Sequence, residues 1–343
     1  MYRYVLKRLL LMIPTMLFVT VLVFSINYFS DGDPVVDILG AEATQEQIEA
    51  KREELGLNDS YFEQLFRYIK NIVTEFDFGT SYKTGKSVID EVLDRFPTTL
   101  LLTLCSMLIA TIVGITLGVI SAVKQYSVFD YIATFLSLIG VSIPAFWLGL
   151  MLMLVFALNL GWLPASGFYG PKYWILPSLT IATIPISTIT RTTRSAMLEV
   201  IRQDYMRTAR AKGLSERSVI YKHGLKNTLI PVITIIGIQL GRTLAGSIVT
   251  ENIFSIPGLG SLISNAIYAR NYPIIQGAIL FCALSFCVIN LLVDILYAYI
   301  DPRIKAQYVK PKVKQRVAEK ALVDSLSDEK QSAESEKNQS TEG

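Results

Sequence analysis

Six predominantly apolar stretches, at about 9–29, 96–123, 131–160, 173–190, 229–250 and 275–299, dominate this chain of 343 residues. Each is near the ~20 residues that an α-helix needs to cross ~30 Å of hydrocarbon. Inside a bilayer the backbone N–H and C=O groups have no water to bond, so segments of this kind cross as helices. The pattern predicts an all-α polytopic membrane protein with six transmembrane helices. Composition agrees, with 51% of residues hydrophobic and 18% charged, against about 25% charged in an ordinary soluble domain.

Residue chemistry then narrows the function classes. The net charge is +3, too small to point to nucleic acid, and the basic residues gather by loop. Cys105, Cys282 and Cys287 all lie in apolar stretches with no Cys-x-x-Cys pair, which supports neither a disulfide frame nor a zinc site. His223 is the single histidine, which removes most histidine-based catalysis and metal chemistry.

The first stretch follows Arg3, Lys7 and Arg8. Its apolar core exceeds the 7–15 residues of a signal peptide and no Ala-x-Ala site follows, so residues 1–30 read as an N-terminus and a retained first span. The loop at 191–228 carries Arg191, Arg194, Arg202, Arg207, Arg210, Lys212, Arg217, Lys222 and Lys226, whereas the loops at 161–172 and 251–276 hold only Lys172 and Arg270. By the positive-inside rule both termini and the 191–228 loop are expected in the cytosol. Residues 31–95 are polar and acid-rich, with amphipathic stretches at 44–55 and 61–76, the second carrying Phe62, Phe66, Ile69 and Val73 on one stripe. They are predicted to form a small extracytoplasmic helical insertion packed on the outer ends of the spans. Residues 96–305 form a five-helix core, and 306–343, rich in Lys, Glu, Ser and Gln, read as a disordered cytosolic tail. No internal repeat is visible.

The basic loop has its own design. Residues 197–212 read as a helix; Gly213, free to take positive φ, lets the chain reverse; Ser215 can cap a second helix at 216–226; Pro231 falls near the start of the next span. Two short helices at an angle suit a groove in a partner. The alternative is a basic loop that only fixes topology.

Arg207-Thr208-Ala209 followed by Gly213 resembles the Glu-Ala-Ala-x-x-x-Gly motif of ABC importer permeases. Arg stands for Glu, Thr stands for Ala, and Pro231 lies further beyond the glycine than usual. These departures resemble the peptide/nickel branch, which reads Arg-Thr-Ala-Arg-Ala-Lys-Gly-Leu, as 207–214 do here. The likeness extends over most of residues 1–305, through Phe78-Gly79-Thr80-Ser81-Tyr82, Glu251-x-x-Phe254-x-x-Pro257-Gly258-Leu259-Gly260, Asn290-Leu291-Leu292-Val293-Asp294 and Asp301-Pro302-Arg303. The chain resembles the B-type permease subunit of an oligopeptide/dipeptide ABC importer. That resemblance implies the type I importer permease fold in a bacterial or archaeal plasma membrane. It implies a second permease subunit, two cytosolic ATPase subunits that hold ATP and Mg, and an extracytoplasmic substrate-binding protein for which 31–95 is a contact. This chain would bind no cofactor itself. Arg207, Thr208, Ala209, Gly213 and Leu214 would form the coupling helix seated in the ATPase.

Gly79 and Gly85, before Lys86-Ser87, enclose five residues where a P-loop has four, and no strand–helix unit surrounds them; they are not read as a nucleotide site. In the fifth span Gly237, Gly241 and Ala245 form a small-residue packing stripe, and Gln239, Arg242, Gly246 and Thr250 fall on a different face that would line a translocation path. A lipid-facing arginine at mid-membrane would cost ~2.5–3.5 kcal/mol. The structural alternative pairs Arg242 with Asp294 or Glu251. Asn290 and Asp294 are expected to hold helices together, and Pro144, Pro177 and Pro185 to kink or interrupt theirs.

Three functions compete. An intramembrane enzyme would need a nucleophile with a base or a metal with ligands, and neither Gly-x-Ser-x-Gly nor His-Glu-x-x-His is present. A stand-alone secondary transporter would be expected to show inverted repeats and a richer set of membrane-embedded ionisable residues. A permease subunit of a peptide importer, with nickel-chelate or glutathione import as the alternative substrates, fits the loop and the spans.

Overall fold

The computed structural model describes residues 2–300 apart from residues 31 and 41. The predicted tail at 306–343 and the Asp301-Pro302-Arg303 motif lie outside the described residues. Helix α1 (Tyr2–Tyr28) leads into α2 (Pro34–Leu39), α3 (Gln45–Glu54) and α4 (Tyr61–Glu75), and then into the long α5 (Val88–Val123). Next come α6 (Val128–Ser142), α7 (Ala145–Leu152) with a π-helical extension at Met153–Asn159, and α8 (Pro171–Ile201). Short α9 (Asp204–Ala211) and α10 (Glu216–Ser218), a π-helical turn at Val219–Leu225, and α11 (Lys226–Gly246) follow. Helices α12 (Ile248–Ile253), α13 (Leu259–Tyr268) and α14 (Tyr272–Ile300) complete the described chain.

The insertion starts its helices from local signals. Thr44 Oγ1 accepts from Gln47 N while Gln47 Oε1 accepts from Thr44 N, and the Glu63 carboxylate accepts from both Ser60 N and Ser60 Oγ. The Thr44–Gln47 exchange is reciprocal, and each pair fixes the first turn of its helix, α3 or α4. Asp33 caps α2 through Val35 N and also pairs with Arg52 at 2.6 Å. Arg270, in the turn before α14, pairs with Asp37 at 2.9 Å, so the insertion is tied to that end of the bundle. The glycine-flanked segment 79–87 forms a turn closed by a Thr80–Ser87 bridge. Asn271 pins it, accepting from Tyr82 N and donating to Ser81 Oγ.

Helices α5 and α8 form the centre. Gly114 lies against Ile189, and Gly118 against Thr193 and the Thr190 carbonyl, so close that a β-carbon at 118 would sit 2.7 Å from that oxygen. Small residues let the backbones approach where lipid offers no hydrophobic drive to association. Met107, Ala110, Ala182, Ile189 and Val232 bring α11 onto this pair.

The third predicted span is broken. Helices α6 and α7 meet at 106° around Pro144. Asp130 at its start bonds Arg194; Gly140 lies against Ser187, Gly149 against Thr180, and past its end Gly167 N donates to the Phe254 carbonyl. Its contacts step along α8 from Arg194 through Ser187 to Thr180, as one broken span would. Counted as one span beside α1, α5, α8, α11 and α14, it gives six candidate crossings among the described residues.

Prolines 177 and 185 do not interrupt their helix. Both lie inside the continuous helix α8, whose packing on α5, α6 and α11 retains it despite two missing backbone donors.

Candidate functional site

The basic loop folds as an elbow, though not with the predicted helix limits. The single helix expected at 197–212 is two: α8 ends at Ile201, and α9 begins after Gln203, which is extended at φ −73°, ψ 150°. The turn lets Met206 and Ala209 face inward, where they and Val219 close a small core on Val200 and Ile201. The second short helix expected at 216–226 is instead the start of a continuous helix, running from α10 through the π-helical turn into α11. The elbow is therefore one short helix docked on the base of the fifth span.

Its reversal is as expected. Gly213 has φ +77°, and a β-carbon there would meet nothing within 4 Å. Glycine is required by backbone conformation, not space. Ser215 Oγ accepts from Ser218 N to start α10. Across the turn Arg210 grips Glu216 in a fork, Nε to Oε2 at 3.0 Å and Nη2 to Oε1 at 2.8 Å. This bond to Glu216 holds the Arg210 guanidinium above its ordinary pKa. Both side chains are water-exposed, so the pair sets geometry and adds only ~0.5 kcal/mol. Gly224 lies against the methyl ends of Met197 and Met206, and Thr228 Oγ1 donates to Met197 Sδ at 3.3 Å.

Of the coupling candidates, Arg207, Thr208, Gly213 and Leu214 are exposed, and Ala209 is buried at 6%. Ala209 thus shapes the elbow from inside, where a larger side chain would prise α9 off Val219. The exposed four form its outer surface.

The candidate path residues separate. Helix α11 ends at Gly246, so Thr250 sits on α12 and cannot share a helical face with Gln239, Arg242 and Gly246. Gln239 and Thr250 are buried, at 3% and 2%, while Arg242 and Gly246 are exposed. The packing stripe holds at two of its three positions: Gly237 lies against Val293 and Gly241 against Phe286 of α14, whereas Ala245 is exposed.

Neither proposed partner of Arg242 reaches it. Asp294 pairs with Arg8 of α1 at 3.0 Å. Asp294 therefore does join two helices, while Asn290 Nδ2 bonds the Phe286 carbonyl of its own helix. Glu251 is fully buried elsewhere. Its Oε1 accepts from Thr99 Oγ1 and Ser247 Oγ, each at 2.8 Å, and its Oε2 accepts from Ser261 N at 3.1 Å. Thr99 Oγ1 also accepts from Leu259 N at 2.8 Å. A carboxylate at the start of α13 meets unpaired N–H groups and the positive end of the helix dipole. The two glycines of Pro257-Gly258-Leu259-Gly260 now have a cause, since a β-carbon on either would press on the Glu251 carboxylate.

One site escaped the sequence reading. Asp130, 2% exposed, accepts from Arg194 Nε, Arg194 Nη2, Tyr126 N and Ser121 Oγ. The available signal is a lone carboxylate three residues after Ser127 at the head of an apolar run, while Arg194, 64 positions away, is indistinguishable in sequence from the other basic residues of its loop.

Comparison with known proteins agrees with this architecture. Residues 114–306 match the family described as binding-protein-dependent transport system inner membrane component, and residues 1–103 match its N-terminal companion. The chain is 45% identical to the dipeptide transport system permease protein DppB of Alkalihalophilus pseudofirmus over 89% of its own length and 100% of that protein. It is 46% identical to the glutathione transport system permease protein GsiC of Escherichia coli K12, over 89% and 99%. An inward-facing structure of the MetNI methionine ABC transporter superposes with a TM-score of 0.53 at 18% identity, over 62% of this chain and 97% of that one. The chain is a multi-pass permease subunit of the ABC importer class, and it belongs to the family of binding-protein-dependent transport system inner membrane components.

Proposed function

We propose that this chain is one permease half of an ATP-driven importer of small peptides, and that the elbow at 204–214 is where force from the motor enters. The observation that carries the reading is the elbow itself: Arg207, Thr208, Gly213 and Leu214 stand exposed on a short helix rooted through Met206, Ala209 and Val219 on the base of two spans. A push on α9 is passed to α8 and α11 because that small core leaves no slack between them. On this reading two ATPase subunits hold ATP and Mg, and a second permease completes the path. A binding protein delivers substrate to the opposite face, and the chain itself performs no catalysis. The basic elbow and both termini lie in the cytosol, following the lysine and arginine bias. ATP binding draws the elbows of the two permeases together and rocks the bundle as a rigid body.

Peptide as substrate is supported by the relatives, one a dipeptide and one a glutathione permease, glutathione being itself a short peptide. The test is uptake of labelled di- and tripeptides into proteoliposomes holding this chain with its co-purified subunits and binding protein, beside the chain alone. ATP-dependent uptake only in the full assembly supports the reading, and uptake by the isolated chain overturns it.

A further inference from the structure

Helix α4 has three flanks. Tyr61, Leu65, Tyr68 and Ile72 turn toward the bundle and are partly buried. Glu63, Arg67, Lys70 and Thr74 form an exposed polar flank. Between them runs a third: Phe62, Phe66, Ile69 and Val73 recur at helical spacing and Phe76 follows at the C-cap, with Phe62, Phe66, Val73 and Phe76 at least 70% exposed. Water-facing helices do not carry three such side chains in one line with a fourth at their end.

The position of α4 decides what covers that flank. Tyr61 and Tyr68 both pack on Phe24 in the last two turns of α1, with ring centroids 5.6 and 6.1 Å apart, and Tyr61 OH bonds Ser25 Oγ at 2.8 Å. The helix therefore lies against the end of a membrane span. Leu22 and Ile26 on α1 and Phe29 just past its end are exposed on a candidate membrane span that is little buried by the rest of the bundle, a surface suited to acyl chains. Phe29 stacks on Tyr61 at 5.8 Å and Tyr61 meets Phe62 at 5.2 Å. The apolar surface thus continues unbroken from the lipid face of α1 onto the exposed flank of α4, through the aromatic rings that membrane boundaries favour.

We infer that α4 is an interfacial helix, its Phe62–Phe76 flank seated at the boundary between headgroups and acyl chains of the leaflet at that end. An amphipathic helix with aromatic residues on one side and charges beside them is built for that depth. The occupant is phospholipid. A consequence is that the insertion is anchored to the membrane along α4, leaving the polar flank to face water.

The test places a nitroxide on α4 of the full chain, purified with its subunits and returned to phosphatidylethanolamine/phosphatidylglycerol vesicles. The background is Cys105→Ala, Cys282→Ala and Cys287→Ala; the sites are Phe66→Cys and Val73→Cys, with Lys70→Cys on the polar flank. Collisions with oxygen should exceed those with a water-soluble nickel chelate at 66 and 73, and the order should reverse at 70. Chelate access at 66 equal to that at 70 overturns the inference in favour of a water-facing flank. Protection of 66 and 73 from both reagents overturns it in favour of a protein partner. The readout does not depend on transport, so it separates from failure of the importer reading.

Discussion

The Asp130 carboxylate takes both hydrogen bonds of the Arg194 fork, at 2.7 and 2.8 Å, and so fixes the head of α6 to the last turns of α8. This bond sits beside the elbow, since α8 ends only seven residues later at Ile201. Asp130 is nearly sealed, while the Arg194 side chain keeps 29% of its exposure.

Replacing Asp130 by Asn should strand a half-buried guanidinium and cost about 3 kcal/mol, the low end for breaking a buried pair because Arg194 retains some water. The doubly swapped Asp130→Arg/Arg194→Asp protein should not recover, since Tyr126 N and Ser121 Oγ both donate to position 130 and would then face a cation. Thermal melts of the three purified proteins decide it; full recovery in the swap would show that the pair acts through charge alone.

Glu251 predicts a different pattern. Glutamine in its place can still accept from Ser261 N only by turning its amide N–H₂ to the Thr99 and Ser247 hydroxyls, which must then rotate to accept and leave their own protons without the carboxylate oxygen that took them. The loss should be about 2 kcal/mol. Gly258→Ala should destabilise similarly, although φ −105° at that residue is open to any amino acid, because the new methyl enters the space of the carboxylate. Gly258→Ala melting with the wild type would disprove the steric account.

How much of this was legible in sequence depends on which forces fix each part. The crossings were, because bilayer thickness imposes length and apolarity on each segment alone. Helices α3 and α4 of the insertion were, because the signals that start them, Thr44–Gln47 and Ser60–Glu63, act locally, whereas the six-residue α2 capped by Asp33 was not. The break at Gln203 was not, since the chain turns there only to bury Met206 and Ala209 against Val219, a contact that spacing does not reveal. The supposed stripe of Gln239, Arg242, Gly246 and Thr250 failed for a related reason. It assumed that α11 continues, whereas Glu251, reaching Thr99 across 152 positions, draws the chain into a second helix. The partners of Asp130 and Glu251 are likewise long-range and have no periodic signature.

The approach of α5 to α8 should be sensitive to one methyl. A β-carbon at Gly118 sits 2.7 Å from the Thr190 carbonyl, a backbone atom that yields only if the helices part. Gly118→Ala should cost about 1–3 kcal/mol. Gly246→Ala, with nothing within 4 Å, should be neutral or raise stability by about 0.5 kcal/mol. Equal melting points for the two variants would show that the α5–α8 contact relaxes freely.

At Gly213 conformation and bulk can be separated. Asparagine tolerates the left-handed backbone at modest cost, and open space surrounds the position, so Gly213→Asn should insert normally and keep most uptake. Gly213→Trp has open space at its β-carbon but carries the strain of a bulky residue at φ +77°, a local cost in a water-exposed turn that should leave insertion intact. Uptake should nevertheless fall at least tenfold while the partner ATPases keep hydrolysing. A Trp variant importing at the wild-type rate would remove Gly213 from the coupling surface.

Arg242 separates pathway from scaffold most directly. It is exposed, makes no hydrogen bond or ion pair among the described residues, and the carboxylates that the structural alternative offered it are engaged elsewhere, Asp294 by Arg8 and Glu251 by Thr99, Ser247 and Ser261. Deleting its charge therefore leaves no buried group unpaired, and Arg242→Ala should melt within about 0.5 kcal/mol of the wild type, as an exposed substitution does. If the guanidinium meets peptide carboxylates along the route, the same variant should lose uptake several-fold, with Arg242→Lys intermediate because an ammonium keeps the charge but not the planar fork. A variant that imports normally but melts early would instead make Arg242 a structural residue, held by a contact that only the assembled transporter provides.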